Sequence, residues 1–206
     1  MKAIVAKEFG PLDQLEYADW PEPVAEGRTV VIEAEAIGVN FPDGLLVQGL
    51  YQMKPETPFV PGMEVAGRVV AVGEKVTGFK PGDRVASVST MGAYAERVGV
   101  DEATVLKLPD GISNEDACAL MCGYGTSHHA LKQRARLQPG ETLCVLGASG
   151  ATGIGAIQIG KAMGATVIGV ASTEEKRRIA KDAGAGVVLG YENLKEALEA
   201  ATHGKG

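Results

Sequence analysis

The residues with the most chemical meaning form a single turn, Gly147-Ala148-Ser149-Gly150-Ala151-Thr152-Gly153. It follows an apolar strand-like run at 142–147 and precedes a helix predicted over 153–163, the strand, turn and helix order that dinucleotide binding requires. Glycine at 150 lets a backbone approach a pyrophosphate, and Gly153 permits close packing of helix on strand. The helix N-terminus adds N–H donors and a favourable dipole. Ala148 stands where the usual fingerprint carries its first glycine. About 20 residues past such a turn, NAD-binding units place an acidic side chain for the ribose 2′-hydroxyl. Here that place reads Val170-Ala171-Ser172, where a small hydroxyl leaves room for a 2′-phosphate that Lys176 would neutralise. On spacing alone, 176–178 reads equally as a solvated helix face, and Glu174 and Glu175 would oppose a phosphate if turned inward. No Ser/His/Asp set or diagnostic acid–base pair is present. His128 and His129 read as non-catalytic, and Asp43 as a helix-start or structural residue.

The elements that must position this turn alternate. Segments 142–147, 166–171 and 187–189 predict strands, and 153–163, 173–183 and 193–201 predict helices, a βαβαβ half of a doubly wound parallel sheet. A helix start is read at Ser113. Before it, β-rich segments at 3–6, 30–34, 65–72, 84–88 and 94–98 are punctuated by glycine and proline, predicting a small irregular β-barrel. The division is placed at 1–112 and 113–206. In all, 206 residues, 45% hydrophobic and 22% charged, suffice for one large core or two modest ones. A net charge of −6 offers no overall attraction to phosphate backbones or anionic membranes, so neither nucleic acid nor membrane is an expected partner. No apolar run approaches the roughly 18 residues of a spanning helix, and the N-terminus lacks a signal peptide's apolar stretch, which makes the cytoplasm the expected location. The 3 cysteines read as buried small hydrophobes rather than disulfide partners. The chain stops at Gly206 where a six-strand dinucleotide fold would begin its second half, so it reads as C-terminally incomplete.

Taken together, Gly38-Val39-Asn40-Phe41-Pro42-Asp43, Gly49-Leu50-Tyr51, residues 61–67, 81–85 and 92–96, Tyr124-Gly125-Thr126 and the turn with Ala156-Ile157-Gln158 resemble the zinc-independent quinone oxidoreductase (zeta-crystallin-like) branch of the medium-chain dehydrogenases/reductases. The resemblance implies a GroES-like N-terminal catalytic domain, a Rossmann domain and a cleft between them. It also implies NADPH as cofactor. Tyr51 would lie beside the nicotinamide half and Thr126 near its ring. Ser149, Gly150, Ala151, Thr152 and Gly153 would hold the pyrophosphate, and Ser172, Lys176 and Tyr191 would surround the 2′-phosphate. Relatives are often homodimers.

Zinc-dependent members of that superfamily carry a cysteine where Asn40 stands and a histidine where Met63 stands. Amide oxygen and thioether are poor replacements for thiolate and imidazole, and Cys122 alone cannot hold the metal, so no metal is expected. Without a Lewis acid, the chemistry suited to such a site is hydride donation into a quinone or other α,β-unsaturated carbonyl. Tyr51 would donate to the acceptor oxygen and Asn40 would orient ligand or water. Two alternatives remain: an enoyl thioester reductase of the same superfamily, and a truncated, catalytically inactive nucleotide-binding fragment.

Overall fold

A computed structural model describes residues 1–204. The chain folds as two compact units, Met1–Met121 and Cys122–Gly206.

In the first unit, β1 (Lys2–Val5) and β2 (Glu16–Asp19) form an antiparallel pair. After them come β3 (Thr29–Gly38), the short helix α1 (Phe41–Val47), β4 (Glu64–Val72), β5 (Arg84–Val88), β6 (Arg97–Asp101) and β7 (Val105–Lys107). The last five strands pair antiparallel in the order β6-β3-β4-β5-β7. Alternation along each strand turns Val30, Ile32, Val65, Val69, Val85, Val98 and Val100 into one core. Shifts in the β3–β4 register after Val31 and between Ala34 and Ala36 bend the sheet, in keeping with the small irregular β domain that the glycine-punctuated sequence suggests. Helix α2 (Asn114–Ala119) is capped by Ser113, whose hydroxyl accepts from the Asp116 N–H. It packs Ala117 and Cys118 against Ala66 and Ala86.

Strands β2 and β7 lie outside the expected segments, β3 runs beyond 30–34, and one expected strand is displaced. Segment 94–98 was to be a strand, but the strand runs Arg97–Asp101. The backbone around Tyr94 is spent elsewhere: Tyr94 N–H donates to the Pro61 carbonyl, and Ile4 N–H donates to the Tyr94 carbonyl. Those bonds hold 94–96 against the N-terminal strand instead of letting it continue β6.

In the second unit, a helical stretch includes α3 (Gly125–His128) and the π-helical segment His129–Arg134. Then follow β8 (Thr142–Leu146), α4 (Ala151–Ala162), β9 (Thr166–Val170), α5 (Glu174–Asp182), β10 (Val187–Leu189) and α6 (Leu194–Ala201). The strands are parallel in the order β10-β9-β8, the Rossmann half-sheet. Val145, Ala148, Ile157, Val167, Ala180 and Ala185 make its core. Reading all three cysteines as buried needs correction. Cys118 is buried, Cys122 partly so and Cys144 exposed, because Cys144 shares the exposed face of β8 with Thr142 and Leu146. Among the described residues no helix is long and apolar enough to cross a membrane.

Candidate functional site

The glycine turn has the geometry of an anion cradle. Gly147 sits at φ 64°, a left-handed conformation that side chains resist. Gly150, extended at φ −79° and ψ 164°, caps α4. The first helical bond of this end runs from Ile154 N–H to the Gly150 carbonyl at 2.8 Å, so the N–H groups of Ala151, Thr152 and Gly153 lie ahead of the helical ladder. Helix α4 thus begins two residues earlier than its sequence pattern suggests, placing Ala151 and Thr152 in its first turn. Gly153 is required by packing: a Cβ there would lie 2.4 Å from the Gly147 carbonyl oxygen and 2.9 Å from Ala148 Cα. The alanine at 148 is accommodated by a second glycine. Its methyl is fully buried, and a Cβ on Gly169 of β9 would come within 3.3 Å of it. The departure from the fingerprint is therefore absorbed one strand away, with the turn's backbone intact.

At the carboxyl ends of β9 and β10, Ser172 is exposed and follows the buried Ala171. Lys176 lies in the first turn of α5, its N–H donating to the capping Thr173 hydroxyl, with the residue exposed. The Tyr191 hydroxyl accepts from the Gly147 N–H at 3.0 Å, which ties the loop after β10 to the first residue of the phosphate turn. Arg177, grouped by sequence with a solvated face, is half-buried, and its Nη1 donates to the carbonyls of Ala171 and Ser172.

Thr126 is exposed on α3, between two π-helical segments, Leu120–Tyr124 and His129–Arg134; such wide turns recur at functional positions. Its neighbour Ser127 is buried and donates to the carbonyls of Gly123 at 2.9 Å and Thr152 at 2.7 Å. The Tyr124 hydroxyl donates to Gln158 on α4 at 2.6 Å. These bonds fix the Thr126 helix to the first turns of α4. Sequence reasoning had passed over Ser127, whose only signal was its place beside Thr126.

Asn40 and Tyr51 belong to the first unit. Tyr51 is half-buried against a cluster of Ala6, Leu46 and Phe59. Asn40 Nδ2 donates to Glu64 Oε2 at 2.7 Å, and Asn40 with Asp43 forms the capping box that starts α1. Asp43, 2% exposed, accepts through Oδ2 from the Asn40 N–H at 2.7 Å and from the Tyr94 hydroxyl at 2.9 Å, in keeping with the helix-start role read from sequence. Burial, then the bond to Asp43, pushes the Tyr94 hydroxyl well above the usual tyrosine value. Asn40, Asp43 and Tyr94 also line a hollow of about 420 Å³ whose other walls include Leu12, Leu15 and Leu45. Glu64, buried at 3% exposure, and Tyr94 went unnoticed in the sequence, because nothing in their spacing links positions 40, 43, 64 and 94. Among the described residues no group of three or more His, Cys, Asp or Glu side chains is placed to hold a metal.

A curled antiparallel unit followed by a parallel half-sheet with a glycine phosphate turn is the build of dehydrogenases that join a GroES-like domain to a Rossmann domain. A family profile described as an alcohol dehydrogenase GroES-like domain matches residues 26–110. A second, described as a zinc-binding dehydrogenase, matches 151–206, a stretch with no cysteine and the single histidine His203. The chain belongs to the medium-chain dehydrogenase/reductase family. It is 40% identical over 193 residues to a quinone oxidoreductase of Lama guanicoe, covering 93% of this chain and 58% of that protein. A probable oxidoreductase from Mycobacterium abscessus aligns at 43% identity and a TM-score of 0.93, covering 100% of this chain and 67% of the other. The Escherichia coli quinone oxidoreductase, solved with NADPH, aligns at 33% identity and a TM-score of 0.94, covering 100% and 64%. The chain thus spans between about half and three-fifths of the length of the curated relatives it matches.

Proposed function

We propose that this chain binds NADPH and takes part in zinc-independent hydride transfer to a quinone or other α,β-unsaturated carbonyl. The observation that carries the nucleotide part is the turn: three helix-start N–H groups beside a left-handed Gly147, with Gly153 packed too closely for any side chain. Bound NADPH supplies the hydride; the protein binds, orients and hydrogen-bonds. The N–H groups of 151–153, with Ser149 and Gly150, hold the pyrophosphate. Ser172, Lys176 and Tyr191 receive the 2′-phosphate where an NAD enzyme would present a carboxylate, and Thr126 lies at the nicotinamide ring. The Tyr51 hydroxyl donates to the acceptor oxygen as charge develops on it, and Asn40, held by Glu64, orients ligand or water. Zinc independence rests on donor chemistry, since an amide and a thioether replace thiolate and imidazole at Asn40 and Met63.

Fluorescence titration of this chain with NADPH and NADH tests the cofactor, with tighter binding of NADPH as the expected result; absence of binding to either would sink the proposal. Oxidation of NADPH followed with 1,4-benzoquinone and with an enoyl thioester then tests the acceptor. Faster turnover of the quinone is expected, and a preference for the thioester would transfer the chain to the enoyl reductases.

A further inference from the structure

Nucleotide recognition in an open parallel sheet happens outside the carboxyl ends of the strands, and the residue after the second strand meets the ribose 2′ position. In the second unit β9 and β10 end side by side: Val170 pairs with Leu189, and Ala171 N–H donates to the Leu189 carbonyl. One cation is fastened between those two ends. Arg177 reaches back from α5, and its Nη1 donates to the Ala171 carbonyl at 3.3 Å and to the Ser172 carbonyl at 3.2 Å. The same nitrogen would stand 3.5 Å from a Cβ on Gly190, so the guanidinium also lies against the residue before Tyr191. Neutral carbonyl partners leave its charge uncompensated, and a guanidinium does not deprotonate in proteins. Lys176, by contrast, carries its charge on a long flexible stem and is exposed. Glu174, Glu175, Arg178 and Lys181 line the open hollow beside Arg177, so the pinned guanidinium lies at the edge of a mixed-charge face and on the side of it nearest Ser172.

We infer that Arg177 is a specificity-determining residue for the 2′-phosphate: it places a fixed positive charge between Ser172 and Gly190 and holds the Ser172 backbone in the turn that receives that group. This rests on the NADPH reading above, and it moves part of the discrimination from the mobile Lys176 to a preorganised arginine. Preorganisation matters because a charge already held in place loses less side-chain freedom on binding.

The test uses probes of the adenosine end that differ only in the 2′-phosphate, adenosine 2′,5′-bisphosphate and 5′-AMP, titrated calorimetrically into the chain and its variants. The unmodified chain is expected to prefer the 2′-phosphorylated probe. Arg177→Gln keeps an N–H donor for the carbonyls and removes the charge; it should cut that preference about tenfold, the scale of one charge-assisted hydrogen bond, and leave 5′-AMP affinity unchanged. Arg177→Lys, which keeps the charge on a more mobile stem, should fall between the unmodified chain and Arg177→Gln. Should Arg177→Gln leave the preference intact while Lys176→Gln abolishes it, the inference is overturned and the NADPH reading stands. Equal loss of both probes in Arg177→Gln would reduce the arginine to a structural tie and overturn it too. No preference in the unmodified chain would overturn the NADPH reading and this inference with it. Arg177→Gln and Arg177→Lys both keep a donor toward the strand ends, so the comparison survives even where Arg177→Ala fails to fold.

Discussion

The two units place their polar chemistry in opposite ways. In the first, ionisable side chains are buried: Asp43 and Glu64 at 2% and 3% exposure, with Tyr94 and Asn40 bonded to them. In the second, Ser127 is the buried polar side chain among the described residues, and the candidate anion site is made of backbone N–H groups at the start of α4. Burying carboxylates requires compensating donors, here brought from distant parts of the chain: Tyr94 to Asp43 and Asn40 to Glu64. A backbone site requires local conformation instead, a left-handed glycine and a close helix–strand approach. The first arrangement depends on a network, the second on the absence of side chains.

The sharpest way to break this contrast is to add a side chain where the second unit tolerates none. Gly153→Val would put a Cβ 2.4 Å from the Gly147 carbonyl oxygen, against backbone on both sides of the turn. Overpacking of this kind costs on the order of 3 kcal/mol, and displacement of the helix-start N–H groups should weaken NADPH binding about 100-fold or more. Urea unfolding and fluorescence titration check the two parts. Retained NADPH affinity in Gly153→Val would mean that the turn does not form the anion site.

The same contrast explains what could be read from sequence. The half-sheet and its turn were legible because each is local: apolar runs of strand length, glycines at fixed spacing, and Ser172 where an acid would stand. Even there the helix start was placed at 153 rather than 151, since Ala151 and Thr152 carry no helical signal and only the Gly150 cap reveals them. The first-unit cluster was half legible. Asp43 could be assigned to a helix start from its neighbours, but Glu64 and Tyr94 reach Asn40 and Asp43 through sheet pairing, which no local pattern reports. Strand β6 was misplaced by three residues at its start for the same reason, its early backbone being spent on β1. Arg177 stood in the sequence only as part of a basic run that reads equally as a solvated face, because a run of three basic residues does not reveal which one folds back to cap a strand.

A matched pair of buried serines sharpens the comparison at smaller amplitude. Ser87 in the first unit meets the Thr104 carbonyl and hydroxyl, each at 3.0 Å; Ser127 in the second bonds the Gly123 and Thr152 carbonyls. Alanine at either position should cost about 1–2 kcal/mol in urea unfolding. Only Ser127→Ala should also loosen NADPH, about fivefold, because Thr152 is in the phosphate turn whereas the Ser87 bonds go to Thr104. Equal effects of the two variants on NADPH would show that the Ser127 bonds do not position the turn.

The smallest expected effect separates the units by pH. Burial raises Cys118 from 9.0 to about 11, and burial with the Asp43 bond raises Tyr94 above its ordinary 10.0. Both groups hold their proton more tightly in the native chain than in the unfolded one. Above the ordinary values the unfolded chain therefore binds fewer protons than the native, and stability falls as pH rises. The contribution of Cys118 is complete below 9.0 and is lost as pH climbs through about 11; that of Tyr94 is lost beginning at 10.0 and continues higher. Cys144 in the second unit is shifted upward by burial alone and, being an exposed residue, should contribute least. Urea midpoints measured across this alkaline range should show a steep decline in the unmodified chain. Cys118→Ala should flatten its onset and Tyr94→Phe its upper part, whereas Cys144→Ala should change the slope little. A slope that disappears with Cys144→Ala and survives Tyr94→Phe would reverse the assignment, placing the buried titrating groups in the second unit and leaving the first without its distinguishing chemistry.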